Sequence, residues 1–173
     1  AVLQSLTNHR LDFAFFVGEF SQPTNHELVQ QVLQKIDYYV VMNGSHPLAQ
    51  EAAISNGMLR EAAFINRPAQ SRHRRWLDDE MAKLGVTLNN TAELENPGVI
   101  KYALLNEMGV SILPAYAVAR EVERGEIVAK RLASGELTRP LLLTWVGKRP
   151  FSSIQRAFLD ALATVVPSVK RLL

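Results

Sequence analysis

The sequence predicts an open α/β sheet, because helix and strand signals alternate strictly through residues 96–131. Asn96 and Pro97 are typical of a helix N-cap followed by the first helical position. Gly109 is the predicted end of this helix, since a left-handed residue commonly closes a helix and glycine adopts that conformation most easily. The predicted apolar face of the helix consists of Val99, Ala103, Leu104 and Met108.

A buried strand and a second helix follow in the same stretch. Residues 110–113 form a short, mostly β-branched apolar run, which suits a strand buried on both faces. Pro114 ends this strand and opens a helix that Gly125 ends, and residues 127–131 are again extended. The predicted apolar residues of the second helix are Tyr116, Val118, Ala119 and Val122.

The remaining segments extend the alternation toward both ends. A helix is predicted for residues 1–8, a loop for 17–25 and a turn-rich connection for 134–140. Strands are predicted at residues 11–16, 28–33, 38–41, 87–94 and 141–146, with Gln34-Lys35 separating the second from the third. Ser152 or Ser153 is predicted to cap a last helix, which Pro167 ends. Its predicted apolar face consists of Ile154, Phe158, Leu162 and Val165.

The composition excludes several classes of function. A chain of 173 residues can bury one core or two small lobes. Cysteine is absent, so disulfides and thiolate sites are excluded. The net charge of +2 is too small for a nucleic-acid-binding face in this segment. No apolar run approaches the roughly 18 residues that a membrane span needs.

Motifs of catalysis are also missing from the sequence. It contains no glycine-rich phosphate loop and no Gly-x-Ser-x-Gly elbow. The four histidines lack the spacing of a zinc site, and His46, which precedes Pro47, is interpreted as a turn residue. We therefore predict no catalytic residue, no metal site, no cofactor and no enzymatic activity.

A candidate anion site lies in the middle of the chain. Residues 62–65 are a predicted buried strand, residues 66–70 the loop that leaves it, and Ser71 the N-cap of a helix that runs to Leu84. Free backbone N–H groups and the partial positive charge at the start of a helix favour an anion or carboxylate.

Several cations crowd this helix start, where each is unfavourable by roughly 0.3–1 kcal/mol. They are Arg67, Arg72, His73, Arg74 and Arg75. A ligand, a partner carboxylate or solvent counterions would offset their charge. Alternatively, the long side chains point outward and form a solvated basic patch.

Three motifs resemble a known family. Residues 107–114, Glu-Met-Gly-Val-Ser-Ile-Leu-Pro, precede Val-Ala-Arg-Glu at 118–121 and Gly-Glu-Ile-Val at 125–128. This succession resembles the effector-binding domain of LysR-type transcriptional regulators, where a Gly-x-Gly-Ile/Val-x-x-Leu-Pro strand leads to a helix and a Gly-x-Leu-Val strand. Glu107 occupies the position of the first glycine. Leu-Asp-x-Ala at 11–14, His-Pro-Leu-Ala at 46–49 and Arg-x-Phe at 156–158 resemble other segments of this family.

The resemblance implies two Rossmann-like α/β lobes of the type 2 periplasmic-binding-protein architecture, joined by two crossover segments. Lobe I would hold residues 1–35 and 136–173, and would lack the family's first strand, first long helix and second strand. Lobe II would hold residues 36–135. The DNA-binding winged helix-turn-helix of such a regulator is absent from this chain, as expected for an N-terminally truncated sequence.

The implied function is small-molecule effector sensing in a cytoplasmic transcription regulator that forms homodimers or homotetramers. The effector would bind between the lobes and shift their geometry, and DNA would be contacted only through the missing N-terminal domain. A membrane role is not expected. The effector-facing candidates are Asn66, Arg67 and Ser71 in lobe II, Val17 and Gly18 in lobe I, and Asn96 at the opposing helix start.

Two of these candidates have alternative interpretations. Capping of the following helix alone accounts for Asn96. Val17 stands where some family members have an arginine that holds a carboxylate, which argues against a strongly acidic effector although the helix start at Ser71 favours an anion.

Three other functions are compatible with the same fold. A periplasmic-type solute-binding protein would have an export signal upstream, whereas a regulator would have a basic helix-turn-helix there. An enzyme such as a dehydratase or phosphoribosyltransferase would need catalytic side chains around the cleft. A truncated copy of a regulator would only dimerise with the full protein or titrate it.

Overall fold

A computed structural model describes residues 2–19, 28–147 and 150–172. Residues 20–27, which include most of the loop predicted at 17–25, lie outside the described ranges. In chain order the elements are α1 (Val2–Thr7), β1 (Ala14–Val17), β2 (Leu28–Asn43), α2 (Asn56–Glu61), β3 (Ala63–Asn66), α3 (Arg72–Lys83), β4 (Asn89–Glu93), α4 (Pro97–Leu105), β5 (Val110–Pro114), α5 (Ala115–Glu123), β6 (Ile127–Lys130), β7 (Leu137–Val146) and α6 (Ser153–Val165). Two 3-10 turns cover Pro47–Gln50 and Pro167–Leu172. The α/β alternation predicted for residues 96–131 is confirmed.

The chain forms two compact units and passes between them twice. Unit 1 consists of Ala1–Ile36 and Thr138–Leu173, and unit 2 consists of Asp37–Leu137. The first boundary falls inside β2 and the second at the start of β7. Hydrogen-bonded neighbours follow the strand order β1-β7-β2-β5-β3-β4, and β6 also pairs with β2.

Unit 2 has helices on both faces of its strands. Beyond Asp37, β2 is antiparallel to β5, and β3 is parallel to both β4 and β5. Tyr39 packs on the core that α4 and α5 cover, whereas Tyr38 contacts Trp76 of α3 with ring centroids 4.7 Å apart. These neighbouring residues point to opposite faces, as strand geometry requires. Every residue of β5 is buried, which confirms the prediction of a strand covered on both sides.

Unit 1 is built on the pairing of β1 with β7. The two strands are antiparallel, with Ala14 opposite Thr144 and Val17 opposite Leu141. Ser152 caps α6 through a capping box with Gln155, as the sequence predicts. The main core of unit 1 contains residues of β2, β7, α6 and the last 3-10 turn: Leu33, Leu143, Trp145, Leu159, Ala163 and Val169.

Two predicted strand boundaries are wrong. The predicted break at Gln34-Lys35 does not exist, because β2 runs without interruption through both residues. Their polar side chains are exposed while Leu33 and Ile36 are buried, so they do not disturb the backbone ladder. β7 begins at Leu137 rather than at residue 141, so the predicted turn-rich connection is shorter than expected.

The predicted end of α4 is also wrong. The helix stops at Leu105, and Glu107 takes the left-handed conformation with φ of 60°. Its carboxylate accepts a hydrogen bond from Ser45 Oγ at 2.7 Å. Glu107 therefore has the backbone conformation that a glycine would adopt most easily, at the position where the family motif has glycine.

Gly109 has a different role from the one predicted. Its φ is 134°, and a Cβ atom at this position would lie 2.2 Å from the carbonyl oxygen of Ala63. The absence of a side chain allows the start of β5 to approach the start of β3. The glycine is required by this contact and not by the end of α4.

The apolar faces of three helices differ from the predicted ones. In α4 the buried residues are Ile100, Ala103 and Leu104, while Val99 and Met108 are exposed. In α5, Val118 is buried but Tyr116 and Val122 are exposed. In α6, Leu159 and Ala163 are buried, whereas Ile154, Phe158 and Val165 are exposed. Each of these helices has apolar residues on more than one face, so periodicity alone did not identify the buried side.

We expect Gly109→Ala to reduce the free energy of unfolding by about 3 kcal/mol or more, because it adds both backbone strain and a clash with Ala63. Gly125→Ala is the matched control. Gly125 has φ of 71° and open space around its Cα, so its substitution should cost only about 1 kcal/mol. Urea unfolding measures both values, and equal losses would contradict the importance of the contact.

The strain at Glu107 gives a second pair of variants. Glu107→Gly loses the hydrogen bond to Ser45 but relieves the left-handed conformation, whereas Glu107→Ala loses the bond and keeps the strain. We expect the glycine variant to be more stable than the alanine variant by about 1 kcal/mol in urea unfolding. An alanine variant that is as stable as the glycine variant would show that the conformation costs little.

Candidate functional site

Ser71 caps α3 at the end of a loop that follows β3, and residues 66–71 are called the Ser71 loop below. The backbone N–H of Arg74 donates a hydrogen bond to Ser71 Oγ at 3.0 Å, which confirms the predicted N-cap. This bond uses an oxygen lone pair and leaves the hydroxyl proton free to be donated. Within the described residues, Ser71 Oγ donates no hydrogen bond of its own.

Asn66 lies in the interior and shapes the loop. Its side-chain oxygen accepts a hydrogen bond from the backbone N–H of Arg67 at 2.9 Å. Its side-chain nitrogen donates to Asn90 Oδ1 at 2.8 Å, and the residue is only 1% exposed. The side chain is therefore committed to holding β3, β4 and the loop together.

Arg74 joins the loop to two neighbouring elements. Its guanidinium donates to Asp78 at 2.9 Å, to Glu93 at 2.9 Å and to the carbonyl oxygen of Arg67 at 3.0 Å. Burial by itself would lower the pKa of Arg74, but the hydrogen bonds that it donates to Glu93 and Asp78, with the attraction of these carboxylates, outweigh burial and raise the pKa. These carboxylates also offset one of the cations that crowd the start of α3.

Arg67 differs from Arg74 in its side-chain partners. Its Nε atom is buried, and it has no hydrogen-bond partner in the part of the chain that the structure describes. A buried N–H donor without a partner is costly, and an incoming acceptor would remove that cost.

An aromatic cluster follows the cap directly, and the sequence did not predict it. The imidazole of His73 stacks on the ring of Tyr38 at 5.6 Å and also contacts Trp76 at 5.7 Å. His73 and Trp76 are three residues apart on α3, a spacing that places them on one helix face. The spacing of His73 and Trp76 could have predicted that these two rings are neighbours. The contact of both rings with Tyr38 could not be predicted, because Tyr38 is distant in the sequence.

Val17 and Gly18 lie in unit 1 beside a guanidinium. Arg139 is 7% exposed, and its Nη2 donates to the carbonyl oxygen of Val17 at 3.0 Å. A Cβ atom on Gly18 would lie 2.2 Å from that same nitrogen, and the φ of Gly18 is 80°, a conformation that glycine adopts most easily. Arg139 of β7 therefore places a guanidinium group beside the backbone of Val17.

Asn96 caps α4, as the sequence predicts. Its Oδ1 accepts a hydrogen bond from the backbone N–H of Val99 at 3.0 Å. The hydrogen bond from Leu94 N–H to the carbonyl oxygen of Asn66, 2.9 Å long, brings the end of β4 beside the Ser71 loop. No described contact joins Asn96 itself to Ser71. The structure thus groups Asn66, Arg67 and Ser71 in one loop and gives Asn96 a separate structural role.

His46 is the N-cap of the turn Pro47–Gln50. Its Nδ1 accepts a hydrogen bond from the backbone N–H of Leu48 at 3.2 Å, in agreement with the interpretation of a turn residue. Burial lowers the pKa of His46, which favours the neutral imidazole that can accept this bond.

The described part of the chain has neither a metal-binding cluster nor a membrane-spanning helix. Residues 2–19, 28–147 and 150–172 contain no group of three or more histidine, aspartate and glutamate side chains that could hold a metal ion. Among the helices of the described ranges, none has the length and apolar content needed to cross a membrane.

Two α/β units between which the chain passes twice are typical of periplasmic-binding-protein-like domains. The chain belongs to the LysR substrate binding domain family, whose model matches residues 1–167. The resemblance seen in residues 107–128 is therefore confirmed.

The curated relatives are transcriptional regulators. The activator CmpR of Synechocystis sp. is 25% identical over 161 residues, which cover 93% of this chain and 52% of that protein. A probable RuBisCO transcriptional regulator of Cyanophora paradoxa is 25% identical and is covered to 54%, with 96% of this chain aligned. The chain thus spans about half the length of the curated relatives that it matches. These relatives do not favour the alternative of a solute-binding protein.

Solved structures confirm the predicted fold class. The regulatory domain of Synechocystis CcmR, in complex with 2-PG, has a TM-score of 0.80 and 24% identity, with 95% of this chain and 78% of that chain covered. The effector-binding domain of QuiR, in complex with shikimate, has a TM-score of 0.72 and 19% identity, with 92% and 73% covered.

The lowered pKa of His46 predicts a pH dependence of stability. The unfolded chain takes up a proton near the ordinary histidine pKa of about 6.5, and the folded protein does so only at lower pH. This residue's contribution is therefore complete above about pH 6.5 and is lost as the pH falls toward the lowered pKa.

Urea unfolding at pH 7.5 and pH 5 tests this expectation. His46→Asn keeps a capping acceptor but cannot be protonated, so it should lose less stability between the two pH values than the wild type. His46→Ala should be less stable than the wild type at both pH values, since alanine has no capping side chain. An unchanged pH dependence in His46→Asn would contradict the assignment.

Proposed function

We propose that this chain senses a small-molecule effector and belongs to a LysR-type transcription regulator, and that the effector binds at the Ser71 loop. The observation that carries the proposal is the hydroxyl proton of Ser71, which is not donated within the described residues, at the helix start where the α3 dipole favours negative charge. Arg67 adds a buried donor that lacks a partner among the described residues.

The surrounding contacts favour a binding loop that is formed before the ligand arrives. Asn66 is held by Asn90, and Arg74 links the carbonyl of Arg67 to Asp78 and Glu93. A loop that is already ordered loses less conformational entropy on binding. In this proposal Asn66 and Arg74 position the loop, whereas Ser71 and Arg67 contact the effector.

The chemistry of the loop favours an effector with a carboxylate or phosphate group. The helix dipole stabilises negative charge at Ser71, and Arg67 offers a charge-assisted hydrogen bond. Arg139, beside Val17 and Gly18 in unit 1, is a second cation at an effector-facing candidate position. The ligands 2-PG and shikimate, bound by the CcmR and QuiR domains, are therefore suitable first probes.

The effector would act on the intact regulator by shifting populations. It must bind one conformation of the domain more tightly than another, because equal affinity shifts no equilibrium. The intact protein would be a cytoplasmic homodimer or homotetramer that contacts DNA through a winged helix-turn-helix outside this chain. We infer binding rather than catalysis as the activity of this domain, without a cofactor.

Ser71→Asp separates ligand binding from helix capping. Aspartate caps a helix as well as serine does, so the free energy of unfolding should stay within about 0.5 kcal/mol of wild type or rise. Its negative charge, and the loss of the hydroxyl donor, should weaken binding of an anionic effector at least tenfold. Thermal shift with 2-PG, shikimate and a panel of small acids, followed by calorimetry, measures both effects.

Ser55→Asp is the matched control, because Ser55 caps α2 in the same unit through Met58. It should leave binding unchanged. An acid that stabilises Ser71→Asp as strongly as the wild type would overturn the assignment of the effector to the Ser71 loop. Failure of every anionic probe to stabilise the wild type would overturn the proposed ligand class.

A further inference from the structure

Unit 1 contains a cavity that the proposed effector site does not use. Its volume is about 320 Å³, which lies within the range of small-molecule sites in proteins. The aromatic and polar residues of its lining are Asp12, Phe13, Trp145, Phe151, Ser152, Gln155 and His9. All belong to unit 1, and the cavity is separate from the Ser71 loop in unit 2.

Three aromatic rings lie in the cavity lining, together with the apolar residues Leu11, Val146 and Pro150. The ring centroid of Phe13 lies 5.7 Å from that of Phe151 and 6.4 Å from that of Trp145. Trp145 and Phe151 are 5.6 Å apart in an edge-to-face arrangement. Phe13 is also stacked on Phe158 of α6 at 5.2 Å. Because the rings pack against one another, this apolar lining is formed before any ligand binds.

A carboxylate lies on the polar side of the same cavity. Asp12 Oδ1 accepts a hydrogen bond from Gln155 Nε2 at 2.7 Å. The side-chain oxygen of Gln155 in turn accepts a bond from the backbone N–H of Ser152 at 2.9 Å. This sequence of bonds orients Asp12, and its second oxygen makes no hydrogen bond within the described residues.

We propose that this cavity binds a small aromatic amine. The ring of the ligand would pack against Phe13, Trp145 and Phe151, and its ammonium group would donate to the second oxygen of Asp12. Aromatic rings attract a nearby cation, and a bond from an ammonium group to a carboxylate is charge-assisted. An aromatic acid of the same shape would bring two carboxylates together and would be disfavoured.

The two tryptophans of the chain allow a site-specific test. Trp145 lines the cavity and Trp76 lies on α3 in unit 2, so Trp76→Phe leaves one indole as the reporter of this site. Phenethylamine and 3-phenylpropanoate are matched probes with the same aromatic body and opposite charge. We expect a saturable change in Trp145 fluorescence, with phenethylamine binding at least tenfold more tightly than the acid.

Asp12→Asn should weaken phenethylamine binding about tenfold and remove the preference over the acid. Asp160→Asn removes a carboxylate from an exposed position of α6 and should leave binding unchanged. Ser71→Asp should also leave it unchanged, so this result is independent of the effector proposal. NMR of the two indole N–H signals in the wild-type chain gives the same readout without substituting Trp76.

Three results would overturn the proposal. They are the absence of a saturable change at Trp145 with phenethylamine, binding of 3-phenylpropanoate as tight as that of the amine, and unchanged amine affinity in Asp12→Asn.

Discussion

The close approach between Gly109 and the carbonyl oxygen of Ala63 is the constraint on which the rest of unit 2 depends. It sets β5 directly beside β3, and the buried hydroxyl of Ser111 then bonds the carbonyl oxygen of Ile65 at 2.7 Å. With β3 held in this way, Asn66 has a fixed position from which to organise the loop that follows. The location of Ser71 is thus a consequence of backbone packing between β5 and β3, the strand that leads into its loop.

Features that depend on neighbouring residues were predictable from the sequence. The caps at Ser71, Asn96 and Ser152 each need only the side chain and an N–H three residues later. The buried strand β5 was equally clear, because both of its faces are apolar. The buried faces of α4 and α6 were not, since apolar residues surround these helices and the position of the sheet decides which of them are covered.

The candidate site also contains both predictable and unpredictable features. Ser71 could be predicted as a cap because capping depends on local sequence. The partners of two arginines could not be predicted, because they are distant in the sequence. Arg74 reaches Glu93, 19 residues away, and Arg139 reaches Val17 across 122 residues. The structure shows that Arg74 pairs with two carboxylates and that Arg139 donates to the carbonyl oxygen of Val17. A local sequence pattern does not predict a contact between residues that are so far apart in the chain.

The division of unit 1 into two chain segments has a consequence during synthesis. Residues 1–36 leave the ribosome before any residue of 138–173 exists, and the intervening 101 residues, 37–137, form the other unit. At translation rates of roughly 5–20 residues per second, about 5–20 s pass between the synthesis of the first segment of unit 1 and that of the second, which contains the strand that pairs with β1. During that interval the apolar side chains of Phe13, Phe15 and Phe16 have no folded partner from β7 or α6. The nascent chain therefore has an apolar segment that molecular chaperones can recognise, although the folded protein covers part of it.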